Sequence, residues 1–206
     1  HDDLPCMDND DYRRGRETVH KKYSVAIGLL TGDALLTDAF GIIAGASEVS
    51  DSVKCRLIHL ISQYTGSSGM IGGQVLDIDS QTNKKMTDYH RLIKLKTANM
   101  FILSSLAGAI CSGKEFREEE IINFGENFGL IFQLTDDILD YRQDKKGSFN
   151  TVELEGFSEV FRQIDTSYAH ILKFIDSADF NLGIIRGITD IVIKRVENIR
   201  NAEVSF

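Results

Sequence analysis

FGLIFQLTDDILDY, Phe128 to Tyr141, is where the architecture first becomes legible. Its apolar residues, Ile131, Phe132, Leu134, Ile138 and Leu139, fall at helical steps, and nothing in it alternates with the period of two that a strand needs. Three aspartates are set into that apolar run. Asp136 and Asp140 stand four apart and share a face, with Gln133 three residues earlier on the same stripe. Carboxylates among such neighbours are costly to desolvate, and like charges on one face repel. A bound cation relieves both costs. Oxygen ligands without His or Cys favour magnesium or manganese over zinc, and magnesium typically bridges one or two carboxylates to substrate phosphates. The alternative, a solvated acidic edge, stays open at this point.

The same periodicity extends outward in both directions. Leu29, Leu30, Ala34, Leu36 and Phe40 form one apolar face, Ile102, Leu103, Leu106, Ala109 and Ile110 another, and Ile184, Ile188, Ile191 and Val192 a third. Proline, which helix interiors tolerate badly, occurs once, at Pro5. The chain therefore reads as all-α. Helices are expected at 21–46, 51–64, 69–79, 88–112, 117–141, 153–177 and 182–201, with short polar connections at 45–47 and 80–83. Thr87-Asp88 is a candidate N-cap and Ser112-Gly113 a candidate stop. The helix from Met100 to Ile110 looks apolar all round, which suits a central position in a bundle, and bundle interiors are where metal and cofactor sites are built from facing helices. With no repeats and no low-complexity linker, residues 1–206 read as a single domain.

Composition narrows the function classes. Of 206 residues, 42% are hydrophobic and 26% charged, and the net charge is −8, which argues against nucleic acid as the main partner, since phosphate backbones are held by Lys and Arg. Cys6, Cys55 and Cys111 are widely spaced and odd in number, so neither a zinc site nor a disulfide framework is expected. The apolar stretches look interrupted well short of the roughly 20 residues a membrane span needs, and no signal peptide is visible; a soluble, cytoplasmic protein is the expectation. Because the chain opens on His1, a longer N-terminus is expected upstream.

A second acidic cluster lies at the start, HDDLPCMDNDDYRRG, His1 to Gly15. Blocks of like charge are often disordered tails, yet this one runs into Arg13 and Arg14, which can fork onto phosphate oxygens. Lys96, between Leu95 and Thr97 in a mid-chain helix, is awkwardly placed unless it snorkels to the surface or its charge meets a partner. Gly72-Gly73-Gln74 leads to Asp77, one turn past Gln74; the glycines there allow close helix packing. His20, His59, His90 and His170 read as surface or packing residues, and Met70, Met86 and Met100 as core filler.

These stretches, together with LTGDALLTDAF at Leu30–Phe40, GMIGGQVLDI at Gly69–Ile78 and HRLIKLKTANMF at His90–Phe101, resemble the trans-isoprenyl diphosphate synthases, most closely the bacterial farnesyl/geranylgeranyl type, over nearly the whole chain and in order. The resemblance implies an isoprenoid synthase-type helical bundle around a central cavity, with the two aspartate motifs facing each other across its mouth. It implies magnesium (manganese as a substitute) held by Asp2 and Asp8 with Asp3 supporting, and by Asp136 with Asp140 nearby. Arg13 and Lys96 would grip an allylic diphosphate and Arg14 isopentenyl diphosphate; Gln74, Thr97 and Gln133 would line the reacting end, with Asp77 behind them. Catalytic roles would fall to Lys96, Thr97 and Gln133. A homodimer is usual in the family.

The match departs from the family in three places. The helices that precede the first motif, with their isopentenyl diphosphate ligands and chain-length determinants, are absent from residues 1–206. The segment after Tyr141 is shorter than the family's glycine-lysine loop, with Lys146 as a candidate for the lysine at its far end. Glu17 replaces a usual proline and is expected to alter only the turn after Arg16. Farnesyl diphosphate is the implied product; the alternatives are a geranylgeranyl or longer-chain synthase and a non-catalytic subunit of a hetero-oligomer, the last disfavoured because both aspartate motifs are kept.

Overall fold

A computed structural model describes residues 1–83, 88–142, 150–178 and 182–203. The expectations for Met86, Thr87 and Lys146, and for the loop after Arg142, lie outside the described residues. The chain forms two compact units, 1–58 and 59–206, and the described residues are all-α apart from one small hairpin.

In the first unit, the acidic opening is a compact set of turns. Leu4 is buried and its carbonyl accepts from the backbone N–H of Met7 (2.8 Å) and Asn9 (3.1 Å). A Cβ on Gly28 would lie 3.0 Å from the Leu4 side chain, so the turn packs onto that glycine. The hairpin pairs β1 (Tyr12–Arg13) with β2 (Arg16–Glu17), Tyr12 opposite Glu17. Its two-residue loop holds Arg14 at φ 52° and Gly15 at φ 75°, the pair of positive φ angles of a type I′ turn. Buried Thr18 closes the unit's loop, donating its hydroxyl to the Asp10 carbonyl at 2.7 Å and its N–H to that of Asp11 at 3.0 Å. Then follow α1 (Val19–Lys22), α2 (Val25–Gly45) with Ser24 accepting from the Ile27 N–H as N-cap, and the start of α3 (Asp51–Thr65).

The second unit holds α4 (Met70–Asn83), α5 (Tyr89–Ile93), a π-helical turn (Lys94–Ala98), α6 (Asn99–Cys111), α7 (Glu118–Arg142), α8 (Thr151–Glu155), α9 (Phe157–Ser177) and α10 (Gly183–Glu203). Helix α7 is central, packed between α6 and α9. Phe124, Phe128, Ile131, Leu134 and Ile138 on α7 meet Val160, Ile164, Ile171 and Ile175 of α9 and Val196 and Ile199 of α10 in one core. Two glycines let α7 approach its neighbours: a Cβ on Gly125 would sit 2.6 Å from the Ile102 Cα, and one on Gly129 2.4 Å from the Ala98 Cα.

Several expectations need correction. The hairpin was not foreseen, and Glu17 lies in its second strand instead of altering a turn. The expected first helix is two, parted before Ser24; the expected loop at 80–83 continues α4; the helix from 88 to 112 contains the π turn; and Gly156, at φ 80°, separates α8 from α9. Helix α6 is not buried all round, since Met100 and Ser104 are exposed while Ile102 and Leu106 are fully buried. On α10 the face read as apolar is largely outside, with Ile184, Ile188 and Ile191 exposed; the buried side is Thr189, Val196 and Ile199. Leu29, Leu30 and Leu36 of α2 are likewise exposed. Helix α2, with 21 residues and a mean hydropathy of 1.5, is long and apolar enough to cross a membrane by length and composition alone, although Asp33 and Asp38 interrupt its apolar run, as expected from the sequence.

Candidate active site

Lys96 and Thr97 project from the π turn, a helical irregularity that inserts an extra residue and often marks functional positions. Its surroundings admit it because they lack side chains: Gly129 of α7 abuts Ala98, and a Cβ on Gly73 of α4 would lie 2.5 Å from the Lys96 backbone nitrogen. The glycines of the GGQ stretch therefore do allow a close approach, and what they bring close is the lysine. One turn past Gln74, the buried Asp77 accepts from Lys96 Nζ at 2.5 Å. Lys96 does not need to snorkel to solvent; its charge is met inside.

Thr97 faces α7, donating its hydroxyl to Gln133 Oε1 at 2.7 Å, and Gln133 Nε2 donates in turn to Asp137 Oδ1 at 2.9 Å. The other oxygen of Asp137 accepts from the Tyr89 hydroxyl (2.6 Å), the Thr151 N–H (3.0 Å) and the Thr151 hydroxyl. Asn150 Nδ2 donates to the Asp137 backbone carbonyl at 2.6 Å, while Asn150 Oδ1 caps α8 through the Val152 N–H. Burial, and then the neighbouring Asp137 carboxylate, push the Tyr89 hydroxyl far above the usual tyrosine range.

Tyr89, Asp137, Asn150 and Thr151 were not singled out from the sequence. Of the three motif aspartates it is Asp137, 5% exposed, that is buried, so the desolvation argument applied to Asp136 and Asp140 belongs to Asp137, whose cost is offset by protein donors. Its position four residues after Gln133, on the stripe of Leu134 and Ile138, carried that signal. The Asp136 side chain is 37% exposed, with Arg195 of α10 at 3.6 Å, and Asp140 is half-buried one turn on.

The first motif is described within its own unit. Asp2 and Asp3 are half-buried and Asp8 exposed; the Asp8 N–H donates to the Asp2 carbonyl at 3.0 Å, and Arg13 binds Asp3 at 2.9 Å. Arg13 and Arg14 are both exposed, Arg13 at the end of β1 and Arg14 in the hairpin's tip.

Among the described residues no three His, Cys, Asp or Glu side chains converge tightly enough to enclose a metal. One or two hard carboxylates per motif with no nitrogen or sulfur ligand suit magnesium, which draws the rest of its shell from water and substrate phosphate. Asp136 and Asp140, and Asp2 and Asp8, are the carboxylates that would hold such an ion; both oxygens of Asp137 are bonded to protein donors.

Residues 1–150 match the polyprenyl synthetase family over well more than half of the chain. The chain belongs to that family. Among its polyprenyl synthetase relatives, the farnesyl diphosphate synthase of Micrococcus luteus is 42% identical over 74% of this chain and 51% of its own length. That of Buchnera aphidicola is 33% identical over 95% of this chain and 71% of its own. The chain thus spans about half the length of the first curated relatives it matches. Among solved structures, an FPP/GFPP synthase from Zymomonas mobilis superimposes with a TM-score of 0.86 at 31% identity, over 93% of this chain and 70% of that one. A Helicobacter pylori geranyltransferase solved with magnesium and isoprenyl diphosphate gives 0.76 at 28% identity, over 100% and 70%. The all-α fold is that of the polyprenyl synthetases.

Proposed function

We propose that the protein carrying this chain is a magnesium-dependent trans-prenyltransferase that joins an allylic diphosphate, dimethylallyl or geranyl, to isopentenyl diphosphate, with farnesyl diphosphate as product. The observation that carries the reading is the π turn: it holds a paired cation, Lys96, and an oriented hydroxyl, Thr97, beside the stretch of α7 that bears Gln133, Asp136 and Asp140. The farnesyl diphosphate synthases among the relatives support the product, and the Helicobacter pylori structure with magnesium and isoprenyl diphosphate supports the ion and the substrate class.

In this reading Lys96 enters the reaction fixed by Asp77 through one of its three N–H donors, leaving donors for the allylic diphosphate alongside Arg13; Arg14 receives isopentenyl diphosphate. Magnesium at Asp136 and Asp140, and at Asp2 and Asp8 with Asp3 supporting, would supply Lewis-acid stabilisation of the leaving pyrophosphate. As the allylic C–O bond breaks, its electron pair leaves with pyrophosphate and positive charge appears on carbon. Thr97, whose proton is committed to Gln133, meets that charge with its oxygen lone pairs, and Gln74 lines the same end. The double bond of isopentenyl diphosphate supplies the electrons of the new C–C bond, and a proton passes to pyrophosphate. Residues 1–206 would belong to a single polyprenyl synthase domain, in a cytoplasmic homodimer.

A second reading, a geranylgeranyl or longer-chain product, is favoured by one observation: a large subunit of a heterodimeric geranylgeranyl pyrophosphate synthase from Arabidopsis thaliana is 41% identical over 71% of this chain and 42% of its own length. Chromatography of products from labelled isopentenyl diphosphate, geranyl diphosphate and magnesium with the purified whole protein separates the readings. A fifteen-carbon diphosphate is expected; longer products would favour the second reading, and unreacted substrates would end both.

A further inference from the structure

Asp137 is left without a task by the reading above, although its two oxygens accept from Gln133, Tyr89 and Thr151. One of its oxygens is committed to accepting, because the Thr151 backbone N–H (3.0 Å) cannot reverse its polarity and the Tyr89 hydroxyl (2.6 Å) points there too. The other accepts as well. Only the NH₂ end of the Gln133 amide satisfies it, and Nε2 stands there at 2.9 Å. With Nε2 turned to Asp137, Oε1 faces Thr97 and takes the hydroxyl proton at 2.7 Å. The direction of every bond in this chain is set from its buried end.

We infer that Asp137 is a positioning residue that fixes the polarity of the hydrogen-bond chain running from Thr97 through Gln133 to Asp137, so that Thr97 turns its lone pairs, and not its proton, toward the reacting end. The inference rests on the prenyl-transfer reading only in taking that end to develop positive charge, which lone pairs stabilise and a hydroxyl proton opposes.

The substitution Asp137→Asn keeps nearly the same shape and has opposite consequences. The carbonyl of the new amide must face the Thr151 N–H, which places its NH₂ against Gln133. Gln133 then flips to offer Oε1, its own NH₂ faces Thr97, and the Thr97 proton swings into the site. Adding Gln133→Glu restores the original sense: the amide introduced in place of Asp137 donates to one oxygen of the new carboxylate, and Thr97 donates to the other.

The test compares wild type, D137N and D137N/Q133E in the whole protein. D137N is expected to lower kcat by about 10- to 100-fold while KM for both diphosphates and the half-saturating magnesium concentration stay within about two-fold. The double variant is expected to recover kcat by about ten-fold over D137N. Undiminished kcat in D137N, no recovery in the double variant, or a large shift in magnesium requirement, which would make Asp137 a metal ligand, overturns the inference. Should D137N not fold, Gln133→Met breaks the chain without disturbing Tyr89 or Thr151, and unchanged kcat there overturns it equally. A ¹⁵N–¹H spectrum of the Gln133 side-chain amide without substrate separates this question from the reaction. An amide signal that is the same in wild type and D137N defeats the polarity inference whatever the protein catalyses. A changed signal with no prenyl transfer by wild type defeats the proposed function instead.

Discussion

The Asp136 side chain is about a third exposed (37%), with Arg195 3.6 Å away, so its removal should change stability by no more than about 1 kcal/mol. Its proposed role as a metal ligand is different in kind. Asp136→Ala is expected to cut turnover by about 10²–10³-fold with thermal unfolding nearly unchanged; activity close to wild type would remove it from the metal site. Tyr89 has the opposite profile. Its hydroxyl, buried and bonded to Asp137, ionises at higher pH folded than unfolded, so its contribution to stability is intact below the ordinary tyrosine pKa of about 10 and is lost as pH rises above it. The stability gap between wild type and Tyr89→Phe, about 1–3 kcal/mol at neutral pH, is expected to shrink by about 1.4 kcal/mol per pH unit above about 10; a constant gap in urea titrations from pH 8 to 11 would contradict this. Lys96 was legible in the sequence as a charge needing a partner. The Asp137 network was not, because Tyr89 and Thr151 lie 48 and 14 residues from it in sequence and nothing local to the motif announces donors that arrive from other elements.

Helices were legible where apolar residues recur at helical steps, as on α7, whose Ile131, Leu134 and Ile138 are buried as that periodicity implies. On α2 apolar residues fall on every side, and on α10 the stripe of Ile184, Ile188 and Ile191 is not the buried set, so periodicity alone could not choose the buried side. The π turn was illegible for another reason: it is set by what two other helices lack, side chains at Gly73 and Gly129. Those absences lead to predictions of opposite sign. In Gly129→Ala the new Cβ would lie 2.4 Å from the Ala98 Cα, backbone that cannot move aside, and a loss of about 1–3 kcal/mol is expected. In Gly108→Ala, on α6, nothing lies within 4 Å of the new Cβ, and a gain of about 0.5–1 kcal/mol is expected from the lower helix propensity of glycine. Denaturant titration of both variants checks the pair; destabilisation of equal size in both would mean that the close approach does not govern the effect.

At the scale of the whole molecule, both aspartate motifs, the RRG hairpin and the KT turn fall within residues 1–150, which match the family, and three of them have a local structure of their own: turns around Leu4, a type I′ tip at Arg14-Gly15, and an irregular helix between two glycines. The sequence therefore spoke clearly about which chemistry is gathered in the chain, and less clearly about how each piece is held. Sedimentation of the whole protein is expected to report a dimer, and a monomer at working concentration would remove the homodimer from the proposal. The account depends most on divalent cations at paired carboxylates drawing pyrophosphate away from an allylic carbon. Turnover of labelled geranyl diphosphate with isopentenyl diphosphate, followed while magnesium is removed by a chelator and then restored, bears on it directly. Condensation that stops on chelation and returns with magnesium is the expected result, and condensation that continues at an undiminished rate in the chelated enzyme would contradict it.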